Sequence, residues 1–217
     1  MKKTLRYHPV SENRGIPANS HKLVACKSEG EDQVLWQELK AGSLDALEAL
    51  YKRHYDALYH YAVKLSWSAE MAEDHIQNLF LKIWEKRNNI GDVRGVRTYL
   101  WTALRRSLIT SLCKSKRSVP FQDENADSLP GMQYFSEEIN PDEELNVYQQ
   151  ELVSKSLNRL SKKQKEAIYL KFYEGMSYEE IEQIMQVSYQ TARNYIYEGI
   201  KSMRIYSQKK RSVASGA

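Results

Sequence analysis

The chain has 217 residues, of which 41% are apolar and 28% charged, with a formal net charge of +4 at pH 7. That is enough apolar material for one large core or two small ones, and the charge content argues for a soluble protein rather than a membrane-embedded bundle. No window approaches about eighteen consecutive apolar residues, and Met1-Lys2-Lys3 leads into polar sequence, so a cytoplasmic protein without membrane insertion is expected.

In chain order, residues 1–30 lack apolar periodicity and carry Pro9, Gly15, Pro17 and Gly30 among scattered charges, the pattern of a flexible N-terminal arm. From Glu31 the pattern turns helical. A short helix on Val34, Leu35 and Leu39 ends near Gly42, and Ser43 opens a long one on Leu44, Leu47, Tyr51, Leu58, Ala62 and Leu65. A third helix, about Ala69 to Lys86, places Ala72, Ile76, Leu79, Phe80 and Ile83 inward, and a fourth runs from about Val96 to Lys114 on Leu100, Leu104, Leu108 and Leu112. No segment alternates as a strand would, so residues 31–117 read as an all-helical bundle.

Residues 118–142 contain Pro120, Pro130, Gly131 and Pro141 in a polar, acidic filling and read as a flexible linker. Helices resume near Glu143: one to about Leu160, then one capped by Ser161 that carries Ala167, Ile168, Leu170 and Phe172 to a stop at Gly175. Ser177 followed three residues later by Glu180 forms a capping box, so the next helix starts near Tyr178 and buries Ile181, Ile184 and Met185. After a turn at Gln186 to Ser188, Ala192, Ile196, Ile200 and Met203 make the inner stripe of the last helix, completing a helix-turn-helix in a second small helical domain, residues 143–206. Residues 207–217 read as a frayed tail. The fold class is therefore all-α, two small helical domains joined by a flexible acidic linker.

Charge is distributed unevenly. Val93 to Lys116 holds Arg94, Arg97, Arg105, Arg106, Lys114 and Lys116 with no carboxylate, Ser118 to Ser154 holds nine acidic residues with no Lys or Arg, and residues 155–211 return to twelve basic against six acidic. Two basic blocks on an acidic tether are natural candidates for phosphate contacts. On the last helix, Gln190, Arg193, Asn194 and Tyr197 point away from the inner stripe, and Arg, Asn and Gln are the side chains that bind base edges bidentately in a major groove. On the fourth helix, Arg97, Trp101 and Arg105 are spaced by four and share a face, flanked by Arg94, Tyr99 and Arg106. Cations interleaved with rings suit unpaired nucleic acid, whereas the plain alternative is a solvated basic helix with Trp101 tucked into the core. The outer face of the third helix, Asp74, Gln77, Asn78, Leu81 and Glu85, mixes acid, amide and one apolar residue, which suits docking to a partner helix or is an ordinary wet face.

The runs GSLDALEALYKRHYDALYHYAVKL, AEDHIQNLFLKIWEKR and VRTYLWTALRRSLITSL, an acidic linker, and LSKKQKEAIYLKFYEGMSYEEIEQIMQVSYQTARNYIYEGIKSMR together resemble, from about Asp32 to Arg204, the group IV or extracytoplasmic function (ECF) sigma factors of the sigma-70 family. The resemblance implies a sigma factor that directs bacterial RNA polymerase to promoters and assists their opening. Asp74, Gln77, Asn78 and Leu81 would bind a coiled coil of core RNA polymerase. Arg94, Arg97, Tyr99, Trp101, Arg105 and Arg106 would recognise and open the minus-10 element as melted single strand, and Gln190, Thr191, Arg193, Asn194 and Tyr197 would read the minus-35 element as duplex promoter DNA. The linker would thread the polymerase's RNA exit path. An anti-sigma factor is an implied partner, and the free chain is expected to be a monomer. Four positions depart from the family pattern: Arg106 and Thr110 stand where Asn and Asp are usual, Glu182 where Ala is common, and Gln186 in a turn slot often filled by Gly.

Catalysis is not expected. His8, His21, His54, His60 and His75 form no HExxH, no Gly-rich phosphate loop is present, and no Ser or Cys lies in a nucleophile motif. Cys26 and Cys113 lie far apart with no CxxC, so reduced, non-ligand thiols and no metal or cofactor are expected. The rival reading is a dimeric helix-turn-helix regulator of duplex operators, and a third is an interaction protein such as an anti-sigma adaptor, which would need neither basic face.

Overall fold

The computed structural model describes residues 20–117, Met132 and 147–214, and among these the regular structure is entirely helical. Helix α1 spans Ser20–Lys40, α2 Leu44–Ser66, α3 Ala69–Lys86 and α4 Val96–Arg117; α5 spans Val147–Asn158, α6 Lys162–Ile168, α7 Tyr178–Met185 and α8 Tyr189–Ala214. Residues 1–19 of the expected arm and, Met132 apart, the expected linker lie outside the described residues.

Caps set most boundaries. Ser43, Ser68, Ser161 and Ser177 sit in extended backbone, and each hydroxyl accepts from an amide of the first turn of α2, α3, α6 and α7 respectively. Gln164 and Glu180 return the favour to the cap amides of α6 and α7, so both are full capping boxes. Two ends differ from the sequence expectation. Helix α1 begins at Ser20, well before Glu31, because no proline interrupts it after Pro17 and Gly30 is only a weak breaker. Helix α8 runs past Tyr206 to Ala214 instead of fraying, since Gln208, Lys209 and Lys210 are good helix formers.

The helix after Ser161 also departs from a simple cylinder. Beyond Ile168 it widens into a π turn, Tyr169–Tyr173, closed by the Glu174 amide donating to the Tyr169 carbonyl at 3.1 Å. Such a turn shifts the phase of every later side chain relative to a continued α-helix, and π turns concentrate where a side chain must be re-aimed. Gly175 then takes positive φ, +68°, and the chain reverses into α7.

Trp36 and Leu39 of α1, Leu50, Leu58 and Tyr61 of α2, Ile76 of α3 and Leu100, Trp101, Leu104 and Leu108 of α4 are all almost fully buried. In the second half, Leu170, Ile181, Ile184, Ala192 and Ile196 play the same part. Close approach tightens it: a Cβ on Gly199 of α8 would lie 2.7 Å from Ile168 Cδ1. The two sets belong to one contiguous apolar cluster, so the halves sit against each other, with α4 packed on α7. Met132 is buried in the same cluster, which anchors one residue of the connecting segment to it. Inside the first half, Asp32 accepts from Arg53 at 2.7 Å and faces His54 Nε2 at 2.9 Å, fastening α1 to α2.

Candidate nucleic-acid interface

Helix α8 carries its polar face outward. Ala192 and Ile196 are buried against α7, which turns Gln190, Arg193, Asn194 and Tyr197 to solvent and leaves Thr191 half-buried. Ser188 Oγ accepts from the Thr191 amide at 3.2 Å and lies 2.8 Å from Thr191 Oγ1, fixing the first turn, and Gln190 Nε2 donates to Asn194 Oδ1 at 3.0 Å. The turn itself is held by Gln186 in the left-handed region at φ 55°, a conformation a side chain adopts at a cost of roughly 1–2 kcal/mol. Two amides and a guanidinium on one open helical face can pair with base edges in a major groove.

Helix α3 buries Ala72, Ile76, Leu79, Phe80 and Ile83, and therefore exposes Asp74, Gln77, Asn78 and Leu81, the last 56% accessible. An exposed leucine amid acid and amide groups suits contact with another protein better than contact with phosphates, which like charge would repel.

Helix α4 is different, and here the expected open ladder of Arg97, Trp101 and Arg105 is not what the structure presents. Trp101 is fully buried, 4.7 Å centroid to centroid from Tyr61, whose other neighbour is Tyr169 of the π turn at 6.1 Å. Arg105 makes a two-point ion pair with Glu166 of α6, Nε to Oε1 at 2.6 Å and Nη2 to Oε2 at 3.1 Å, while Tyr61 Oη donates to the same carboxylate at 2.7 Å. Arg97 Nη2 donates to the Glu174 carbonyl at 2.7 Å and reaches its carboxylate at 3.4 Å, and Tyr169 Oη donates to Glu174 Oε1 at 2.9 Å. Thr98 Oγ1 adds a 3.3 Å bond to Glu180 of α7. The physical reason is desolvation: the second half covers this face, so the guanidinium groups need carboxylate partners and the ring needs apolar ones.

Burial also tunes these groups. Burial alone would lower the Arg105 pKa, but the Glu166 carboxylate outweighs it and holds the guanidinium still more firmly charged. Burial, reinforced by the Glu166 charge, pushes Tyr61 well above its ordinary value and keeps it a neutral donor. Burial raises Glu174 above the usual carboxylate range against the opposing pull of Arg97 and the Tyr169 hydroxyl.

Arg94 and Arg106 remain exposed and Tyr99 half-buried. The loop bearing Arg94 is tied to α1, with Lys40 Nζ and Gln37 Nε2 both donating to Asp92 Oδ1 at 2.6 and 3.0 Å and Gln33 Nε2 donating to the Val93 carbonyl at 3.2 Å. Beside Arg106, an open groove of about 630 Å³ runs between α3 and α4, lined among others by Lys82, Tyr99, Ser107 and Lys114. His75 stands at its wall, 2.7 Å from Ser107 Oγ and held below its ordinary pKa by burial. Thr110, also on the groove, turns its hydroxyl back to the Arg106 carbonyl at 2.7 Å. The structure thus gathers Tyr99 and Arg106 on the groove, sends Arg97, Trp101 and Arg105 into the contact between halves, and keeps the α3 and α8 faces separate and open. Sequence reading did not single out Lys82 and Lys114 as lining this groove, nor Glu166 and Glu174 as partners of α4. The only signal for the latter was two carboxylates embedded in the inward-facing run around Ala167, Ile168 and Leu170.

Two family descriptions match the chain in order: Sigma-70 region 2 over residues 50–118 and Sigma-70, region 4 over residues 150–203. The ECF RNA polymerase sigma factor SigL of Mycobacterium tuberculosis is 27% identical over 164 residues, covering 75% of this chain and 89% of that protein. SigK of Mycobacterium sp. (strain JLS) is 21% identical over 177 residues, covering 79% and 88%. Among solved structures, CnrH in complex with the cytosolic domain of CnrY aligns with a TM-score of 0.55 at 17% identity, covering 82% of this chain and 97% of that one. RpoE in complex with the anti-sigma factor NepR from Bartonella quintana aligns with a TM-score of 0.52 at 23% identity, covering 74% and 96%. Helices α2 to α4 fall within the region 2 match save the start of α2, and most of α5 to α8 within region 4, and the chain belongs to the ECF sigma factors of the sigma-70 family.

Proposed function

We propose that the chain carries out sigma-factor work, directing bacterial RNA polymerase to promoters and assisting their opening, by dividing it among three surfaces. Asp74, Gln77, Asn78 and Leu81 of α3 dock on core polymerase. The loop before α4 and α4 itself, through Arg94, Arg97, Tyr99, Trp101, Arg105 and Arg106, take the minus-10 element as unpaired strand, rings stacking on bases while guanidinium groups follow the backbone. Helix α8, through Gln190, Thr191, Arg193, Asn194 and Tyr197, reads the minus-35 element as duplex. The division runs along the chain as residues 31–117 and 143–206, joined by the acidic segment 118–142.

The observation that carries this reading is the order of a region 2 match and a region 4 match in one chain, with the α8 polar face open to solvent. In this role the protein is a non-enzymatic, cytoplasmic subunit that places and opens DNA, while the chemistry of RNA synthesis belongs to the polymerase. No helix among the described residues is long and apolar enough to cross a membrane. Since two similar structures are complexes with CnrY and with the anti-sigma factor NepR, an anti-sigma factor is the regulatory partner we assign.

The test is to add the purified chain to core polymerase and sequence the transcripts started on genomic DNA. The sigma reading expects discrete start sites dependent on the chain. Protection of palindromic duplex without polymerase, with no transcripts, would establish the dimeric regulator instead.

A further inference from the structure

We infer that the later half of α8 is a phosphate-binding surface, on which Lys201 and Arg204 grip the backbone of the same duplex whose bases the first half reads. The inference extends the minus-35 reading proposed above and rests on it.

The helix is long for its task. It has 26 residues, about 39 Å at 1.5 Å per residue. The Sigma-70, region 4 match stops at residue 203, whereas the helix continues to Ala214. Its continuation is held in line by α5: Tyr206 is half-buried, and the Arg159 guanidinium lies 5.1 Å from the centre of its ring.

Register and charge agree. Arg193, Tyr197, Lys201, Arg204 and Gln208 follow one another at spacings of four, four, three and four, so they share one face of the helix, and all five are exposed. The base-reading face therefore continues unbroken into a cationic one. From Gly199 to Ala217 the sequence carries Lys201, Arg204, Lys209, Lys210 and Arg211 and no aspartate or glutamate. Lys201 Nζ lies 4.0 Å from Glu198 Oε2, an exposed and weak pairing, and Arg204 makes no ion pair among the described residues.

Distance selects the ligand. Lys201 and Arg204 stand about 12 and 16 Å along the axis from Arg193, and the major groove is only about 12 Å wide. A straight helix whose first turns sit at base edges leaves the curving groove over that distance, which brings both cations against the strand that walls it. An acidic protein would have to share this face with the duplex already seated on it, so DNA phosphates are the anion. Such contacts carry no sequence information, but they fix how the helix lies and make binding depend on salt.

The experiment uses the full chain with core polymerase on a fluorescein-labelled promoter, titrated between 50 and 200 mM salt, for wild type, Lys201→Gln/Arg204→Gln and Arg193→Ala. Losing two phosphate contacts should flatten the plot of log affinity against log salt by about 1.8, so wild type loses about tenfold more affinity than the double variant over that range. The effect should be equal on matched and scrambled upstream elements, and Lys201→Arg/Arg204→Lys, which keeps both charges, should restore the wild-type slope. An unchanged slope overturns the inference. So does a loss confined to the matched element, which would make the pair base readers, or a slope that stays flat when the charges are kept. Should the double variant melt early by circular dichroism, Arg204→Gln takes its place, with about half the slope change expected. Arg193→Ala separates this result from the reading beneath it. Sequence-dependent loss there, with no slope change in the double variant, removes the backbone contact alone, whereas wild-type affinity of Arg193→Ala on every upstream element removes the minus-35 reading.

Discussion

Helices α4 and α8 both set arginine and aromatic side chains along one face, yet the α4 face is closed and the α8 face open. The difference lies in what stands opposite. Helix α8 turns its inner stripe to α7 and leaves Arg193 and Tyr197 exposed among the described residues, whereas α4 is sandwiched between its own bundle and the carboxylates of Glu166 in α6 and Glu174 at the end of the π turn. Surface composition therefore nominates a nucleic-acid face, but packing decides whether that face is available. A buried ion pair in such a place is weak grounds for stability, since the desolvation of both charges offsets much of their attraction.

The sharpest way to break this comparison is to truncate one aromatic on each face. Trp101→Ala should cost about 3–5 kcal/mol of folding stability, because it empties a fully buried site, while Tyr197→Ala should stay within about 0.5 kcal/mol. Urea denaturation measures both, and similar small losses would mean that α4 is as open as α8.

A second contrast concerns binding. Arg193→Ala, on the open face, should lose about 1–3 kcal/mol of promoter affinity in the polymerase complex and leave folding untouched, with the loss confined to sites bearing the correct upstream element. Footprinting on matched and scrambled upstream sequences checks this, and an equal loss on both would reduce Arg193 to a phosphate contact.

The smallest effect is a pH dependence confined to the closed face. Burial raises the Glu174 pKa above its ordinary 4.5, and a carboxyl so shifted contributes stability below its unfolded value that is lost as the pH rises through the folded one. The stability of wild type relative to Glu174→Gln should therefore fall as pH increases from about 4.5 toward neutrality. A relative stability that rose over that range would show that the pull of Arg97 dominates and that the carboxyl is held ionised.

Much of the fold could be read because its signals are local. The bounds of α3 follow from Ser68 and a clean apolar stripe, and the capping boxes at Ser161 and Ser177 are four-residue patterns. The outward set on α8 followed from the same periodicity. What escaped is non-local: Arg105 and Glu166 are 61 residues apart, and Arg97 and Glu174 are 77 apart, across a segment with no pairing signal of its own. The π turn escaped for another reason, because YLKFY is compatible with an ordinary helix and only the contact with Tyr61 and Arg97 distinguishes the two. Trp101 illustrates the limit, since a ring between two arginines is equally suited to a base or to a tyrosine.

The central claim is that α4 captures the melted strand while α8 reads the duplex, and promoter opening tests it most directly. Arg106 is the residue to change, because its side chain is exposed and its loss leaves the fold intact. With core polymerase, permanganate reactivity at the minus-10 thymines should be strongly reduced by Arg106→Ala on duplex promoter and restored when the same promoter is supplied pre-melted. A pre-melted template that fails to restore transcription, or a duplex that opens normally with the variant, would contradict the account.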